Sequence, residues 1–312
     1  MALAGFALRR LHRLHTSVPG GLRAAPVLLD LLCCPAAADG HAPADEARTV
    51  RKIARDAAIP RESARRMLMG LSAVGWVRGL DPVGYQATAE ARRWWAAATG
   101  GPREFLWVAQ QVNQALSVQG RAADDLLENF PWHIALATKY AEVPHPPYAQ
   151  DCNEELSRLH RLDAEHQQAL CALVDGYMWR HVRRLWPAFD ADLMLPLMIG
   201  EIAHRNISAL ARRTDATQIL ARLESRSASS PRERGYLPIN AHSVSVSLQV
   251  AGSTTRRRLA QLVDHGWISM DEDGTLALAS DAIRAHTADL NAASLADFLA
   301  THEQARALIA AG

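Results

Sequence analysis

The sequence predicts a mainly α chain with small β-hairpin wings: two copies of one module, separated by a helical region. Three observations predict this. "SARRMLMGLSAVGW" (63–76) recurs as "TTRRRLAQLVDHGW" (254–267), 191 positions further on. Six of those fourteen columns are identical (both arginines, both leucines, Gly and Trp), where average usage gives roughly one. Residues 52–91 lie over 243–282 without a gap, and Ile53/Val244, Ile59/Val250, Val77/Ile268 and Glu90/Asp281 are conservative matches. The chain therefore contains a true internal repeat rather than a low-complexity stretch.

Residues 1–25, "MALAGFALRRLHRLHTSVPGGLRAA", hold four arginines and no acid, a composition shared with mitochondrial transit peptides. They lack the long apolar core of a secretory signal. Their charge predicts a basic N-terminal arm, flexible or forming a short amphipathic helix that packs on a partner.

The first module, 26–95, opens with the apolar "APVLLDLLCC". "TVRKIARDAAI" (49–59) then places Val50, Ile53, Ala54 and Ala57 on one helical face. Pro60 suits the first turn of a new helix, where its missing N–H costs nothing. In that helix Ala64, Leu68 and Leu71 form the inward stripe, leaving Arg61, Ser63, Arg65 and Arg66 outward near its N-terminus. Gly75 stops the helix. "WVRGL" alternates as a strand, "DPVG" (81–84) makes a turn, and "YQAT" returns as a second strand.

The second module, 191–290, repeats this order. "DLMLPLMIGEIAHRNISALARR" opens it, and a polar stretch at about 224–237, containing "ESRSASSPRERG", reads as a mobile loop. "AHSVSVSLQV" takes the place of the first helix, although alternating Val and Ser favour a strand on propensity alone. "GSTTRRRLAQLVDHG" follows as the second helix, with Thr255, Leu259 and Leu262 inward. "WISM", the turn "DEDG" and "TLALA" close the hairpin, Asp273-Gly274 being a favoured turn pair.

Between the modules, 96–190 reads as a helical linker and the place for an effector or dimer contact, broken by the proline-rich "EVPHPPYAQD" (142–151). Trp107, Trp132, Trp179, Trp186, Tyr140 and Tyr177 could line a pocket or simply fill its core. Residues 291–312 read as a C-terminal helix. Across 281–311 a stripe of Ile283, Leu290, Leu295, Phe298, Leu299, Leu308 and Ile309 serves either dimerisation or packing on the chain's own core.

Charge is informative only by position. The formal net charge is +1. Between Arg48 and Arg78, however, eight Arg/Lys stand against Asp56 and Glu62. Only Lys52 and Lys139 are lysines, and with the abundant alanine this points to a GC-rich coding sequence and a bacterial source. No apolar run is long enough to span a membrane. Cys33, Cys34, Cys152 and Cys171 show no metal-binding or redox spacing and read as small buried hydrophobes in a reducing cytoplasm. Glu201 and His204 have a carboxylate–His helical spacing, but no second such motif exists to complete a di-metal site. His160 and His166 read as solvated. No phosphate loop, GxSxG or Cys/His dyad is present, so neither a catalytic role nor a cofactor is expected.

Both repeats resemble bacterial winged helix-turn-helix regulators, whose signature across the second helix and wing appears here as "ESARRMLMGLSAVG" and "STTRRRLAQLVDHG". Ala64 and Thr255 replace the signature's usual Val/Ile, which implies looser packing beneath each helix. The resemblance implies two winged helix-turn-helix domains and a sequence-specific transcriptional regulator of double-stranded DNA, located in the cytoplasm on the nucleoid. Arg61, Ser63, Arg65 and Arg66 would face the groove, where arginine can bind guanine through two hydrogen bonds. Arg51, Lys52 and Arg55 would contact the backbone, and Arg78 a phosphate or the minor groove. In the second copy the corresponding set is Ser253, Thr254, Arg256 and Arg257, flanked by Arg258. Its first helix is poor in charge and should add less electrostatic affinity. Unequal helix N-termini predict unequal half-sites. A homodimer and a small-molecule effector remain open as further partners. The alternatives are a replication initiator or chromosome-organising protein, or winged helices that bind acidic partner proteins.

Overall fold

The computed structural model describes residues 2–33, 47–80, 82, 84–99, 101–119, 158–213 and 239–312. Trp132, Tyr140, Cys34, Cys152, the proline-rich break and the polar stretch at 224–237 lie outside them. The described chain is mainly helical, with two small antiparallel two-stranded sheets. In order it forms α1 (Ala2–Ser17), a 3-10 turn (Gly21–Arg23), α2 (Ala25–Leu32), α3 (Val50–Asp56), α4 (Arg61–Ala73), β1 (Val77–Leu80), β2 (Gly84–Ala87), α5 (Ala89–Thr99) and α6 (Gly101–Gln119). Then come α7 (Ala164–Ala188), α8 (Met194–Arg213), α9 (Ala241–Leu248), α10 (Gly252–Asp264), β3 (Ile268–Met270), β4 (Leu276–Leu278) and α11 (Ser280–Ala311).

The chain divides into two compact units. One comprises Arg13–Gln110, Tyr148–Leu193 and Ala293–Gly312, and holds the first repeat. The other comprises Met1–His12, Gln111–Pro147 and Met194–Ala292, and holds the second.

In the unit with the first repeat, α3 begins where the Thr49 side chain accepts the Lys52 N–H, filling one of the four donors a helix start leaves open. Ile53 and Ala54 are buried beneath it. Ala58 turns the chain at φ 54°. Pro60 stands just before α4 as its cap residue, one position earlier than the sequence places it, with φ −58° and ψ 138°. Ala64, Leu68 and Leu71 are all buried, the stripe the 3.6-residue period requires. Gly75, at φ 78°, ends the turn, and β1 pairs with β2 from Val77↔Ala87 to Leu80↔Gly84. Arg48 and Tyr85 exchange both backbone hydrogen bonds at 2.8 Å, which adds a one-residue third strand to the hairpin. Behind the module α2 packs against α7, and Phe105, Tyr177 and Phe298 form an aromatic core. Trp179 and Trp186 are buried and Trp107 half-buried. Arg180 and Arg184 of α7 both bind Asp297 of α11.

In the other unit the same pattern recurs at the same 191-residue offset. Asn240 caps α9 through the Ser243 N–H, in register with Thr49 and Lys52. Gln249 takes φ 54°, as Ala58 does, and Gly266 takes φ 68°, as Gly75 does. The bond Trp76 N–H to Leu71 O returns as Trp267 N–H to Leu262 O, and Thr88 to Trp76 returns as Ala279 to Trp267. Even the third-strand contact recurs, with the Leu276 N–H donating to Ile239 O at 2.7 Å. Thus "HSVSVS" is helical despite its alternation, because Val244 and Leu248 are the buried i, i+4 pair. Thr255 is fully buried, and its hydroxyl donates back to Ala251 O at 3.3 Å, so the polar atom that replaces Val/Ile is satisfied. Asn206 of α8 donates to Leu276 O and accepts from Leu278 N–H, covering the edge of β4. Leu8 of α1 lies against Gly200 of α8, where a Cβ would stand 2.5 Å from its Cδ1.

Among the described residues Cys33 is buried and Cys171 half-buried. No described helix is long and apolar enough to cross a membrane.

Candidate nucleic-acid interface

In the first repeat, α3, α4 and the hairpin carry the basic side chains, and the apolar stripe dictates which of them face out. With Ala64, Leu68 and Leu71 inward, Arg61, Arg65 and Arg66 are exposed and Ser63 is half-buried. With Ile53 and Ala54 inward on α3, Arg51 and Arg55 are exposed and Lys52 is half-exposed. Arg78 is exposed on β1, and its Nη2 donates to Oε1 of Gln86, its cross-strand partner, at 3.0 Å. That contact holds the guanidinium against the hairpin.

Two acids modulate this set. Arg65 Nε donates to Glu62 Oε2 at 3.2 Å, one turn earlier on α4. Both side chains are mostly exposed, so water screens the pair and it adds little stability. Arg55 Nε donates to Asp56 Oδ1 at 3.0 Å. Among the described residues Arg51, Arg61 and Arg66 have no ion-pair partner. No side chain caps the start of α4, so its first N–H groups point outward at the positive end of the helix dipole.

Arg48, counted within the basic excess of the sequence, does not belong to the surface. Its guanidinium is buried between Asp30 and Asp56, with Nη1 2.8 Å from Asp30 Oδ2. Arg48 thus neutralises internal carboxylates. Desolvation by burial, helped by the neighbouring charge of Asp56, pushes the Asp30 carboxyl up to about 7 against the attraction of Arg48.

In the second repeat Ser253, Arg256 and Arg257 are exposed and Thr254 is half-buried on α10. Arg258, placed by sequence as a flanking contact, is instead only 8% exposed, beside the inward Leu259 and Leu262. The N-terminus of α10 after Ala251 is also uncapped by any side chain. The hairpin of this repeat turns through Asp271, Glu272 and Asp273, and its tip is acidic. The sign of this tip is legible in the sequence, since three of the four residues of "DEDG" are acids.

The other candidate chemistry has structural partners. Glu201 accepts from Arg205 at 2.8 Å along α8. Among the described residues no group of three or more His, Cys, Asp or Glu is placed to hold a metal. His166 is bonded to Asp163, the cap of α7, and the exposed His160 meets Arg103.

No family model, curated protein or solved structure matches the chain.

Proposed function

We propose that both repeats are winged helix-turn-helix modules and that the protein is a sequence-specific DNA-binding transcriptional regulator, bound to DNA through the first repeat. The observation that carries this reading is the sorting of charge there. Arg51, Lys52, Arg55, Arg61, Arg65, Arg66 and Arg78 all reach solvent from the two helices and the hairpin, while the one buried cation, Arg48, is held between two carboxylates. In this reading α4 enters the major groove, with Arg66 and Arg65 at base edges and its uncapped N-terminus at a phosphate. Arg51, Lys52, Arg55 and Arg78 neutralise the backbone on either side.

Binding selection from sheared genomic DNA, followed by a salt titration on the enriched fragment, tests this. Enrichment of a defined motif is expected, with log K falling against log[salt] at a slope of about −3 to −6 for roughly four to six phosphate contacts. Absence of enrichment, or affinity indifferent to salt, would remove the DNA assignment.

A further inference from the structure

Among the described residues Met69, Val74, Val246 and Met270 are large apolar side chains that stand exposed. Met69 differs from the others in what surrounds it on its own helix. At about 100° per residue, Arg65 lies about 40° to one side of Met69 and Arg66 about 60° to the other, with Glu62 about 20° from it. The four thus share an arc of about 100°, and all four are exposed. The buried stripe of Ala64, Leu68 and Leu71 fixes this arc as the outward one. Val74 follows the last residue of α4 and stands about 140° round from Met69. Val246 has His242 and Ser243 one turn before it on α9, and no arginine. Met270 ends β3 beside Asp271.

Beyond Met69 the outward face of α4 carries no long side chain. Gly70, Ser72 and Ala73 are exposed there, and a Cβ at Gly70 would meet nothing within 4 Å. The fold does not demand a long apolar residue at this position, because α10 forms with Ala260 exposed in the same place, 191 residues on. A helix is about 10–12 Å across and the major groove about 12 Å wide, so a half-helix stripped to small side chains lets the groove floor come close. Met69 lies about 4.5 Å along the axis from Arg66 and about 6 Å from Arg65, or one to two base-pair steps of about 3.4 Å. A thioether is flexible and polarisable but offers no donor and only a weak acceptor. The edges of the base pairs present polar atoms in the major groove, and one apolar group: the ring methyl of a pyrimidine.

We propose, resting on the DNA reading above, that Met69 is the residue of α4 that recognises the ring methyl group of a pyrimidine, thymine or methylated cytosine, one or two base pairs from the pair read by Arg66. The arginines then select by hydrogen bonds, and Met69 selects by apolar contact at the neighbouring step.

Fluorescence anisotropy of the full chain on the fragment enriched in the selection above tests this. Each thymine in turn is replaced by deoxyuridine, which removes only the methyl, and each cytosine by methylcytosine, which adds only the methyl. One position is expected to change affinity by about fourfold, the worth of one buried methyl. Weaker binding with deoxyuridine identifies thymine as the source of that methyl, and tighter binding with methylcytosine identifies methylated cytosine. In Met69→Ala the response at that position should vanish; in Met69→Leu, which keeps an apolar reach, it should persist. Met69 is 55% exposed, so both variants should melt with the parent. A response that is unchanged in Met69→Ala would overturn the proposal. So would a sensitive position more than about three base pairs from the pair whose preference relaxes in Arg66→Ala, given the axial spacing of the two side chains. An enriched motif indifferent to every pyrimidine methyl removes this inference and leaves the DNA reading standing, whereas a selection that enriches nothing removes both.

Discussion

Arg48 Nη1 lies 2.8 Å from Asp30 Oδ2, and neither side chain has any exposed surface. Arg48 also donates to the Asp30 carbonyl at 3.2 Å and binds Asp56, the last residue of α3. One guanidinium thereby joins α2, the strand-like segment before α3 and the end of α3. Removing it leaves the buried Asp30 carboxyl without its cation and Asp56 with only the exposed Arg55, so Arg48→Met should destabilise the chain by about 3–5 kcal/mol. Urea denaturation would measure this, and a loss below about 1 kcal/mol would mean the network is not structural.

The same network makes stability depend on pH. The folded Asp30 carboxyl titrates at about 7, above its ordinary 3.8. Between about pH 4 and 7 the folded chain therefore holds a proton that the unfolded chain has released. Stability then falls as pH rises through this window, approaching about 1.4 kcal/mol per unit for a whole proton. Asp30→Asn removes that slope. Denaturation curves at several pH values should show the variant gaining on the parent between about pH 4 and 7; curves that stay parallel would contradict the assignment.

His181 opposes it. Its Nδ1 is 3.1 Å from Ser294 Oγ inside the same unit. Burial first, then the charge of Arg184, lowers its pKa from 6.5 to about 4, with Asp297 resisting. Here the unfolded chain takes up the proton first, so stability falls as pH drops from about 6.5 to about 4. In the parent protein the two slopes largely offset each other. His181→Asn should leave a chain that weakens toward neutral pH, and Asp30→Asn one that weakens toward acid. If both variants tilt the same way, the sign of one of these shifts is wrong.

Gly84 is fixed by a close approach. A Cβ there would stand 2.4 Å from Arg48 O, and its φ of 135° is one that L side chains rarely adopt. Gly84→Ala must push away the segment that carries Arg48, loosening the hairpin and the buried network together. A loss of at least about 2 kcal/mol is expected. Gly79→Ala is the control, because its Cβ would meet only the Tyr85 ring at an ordinary 3.8 Å. Equal melting temperatures for the two variants would show that the close approach relaxes freely.

The apolar stripes of α4 and α10 are legible in the sequence because helical burial has a fixed period, and Leu68, Leu71, Leu259 and Leu262 obey it. The helix at "HSVSVS" is legible only by comparison with its other copy, since local propensity favours a strand and Asn240, Val244 and Leu248 override it. The fate of Arg48 is not legible: its partner Asp30 is 18 residues away, and the sign of a side chain does not reveal whether it faces water or another charge. Arg258 misleads for the same reason. It follows two exposed arginines in sequence, yet a step of one residue on a helix turns it by about 100° toward the buried side.

On the first repeat, Arg66 and Arg78 should fail differently if DNA is the ligand. Arg66 is exposed on α4 without an ion-pair partner among the described residues, so its fork is available to a base edge. Arg78 is held by Gln86 on the hairpin, a position suited to phosphate. Arg66→Ala should cost about 1–3 kcal/mol on the selected site and relax preference at one base pair. Arg78→Ala should weaken all sequences alike and reduce the salt slope by about 1. Glu62→Gln adds a third signature. It releases Arg65 and removes a negative charge, so non-specific affinity should rise while the melting temperature stays unchanged, the pair being exposed. Electrophoretic mobility shifts on cognate and scrambled duplexes at two salt concentrations separate these outcomes. Identical behaviour of Arg66→Ala and Arg78→Ala would reduce the first repeat to a non-specific basic surface.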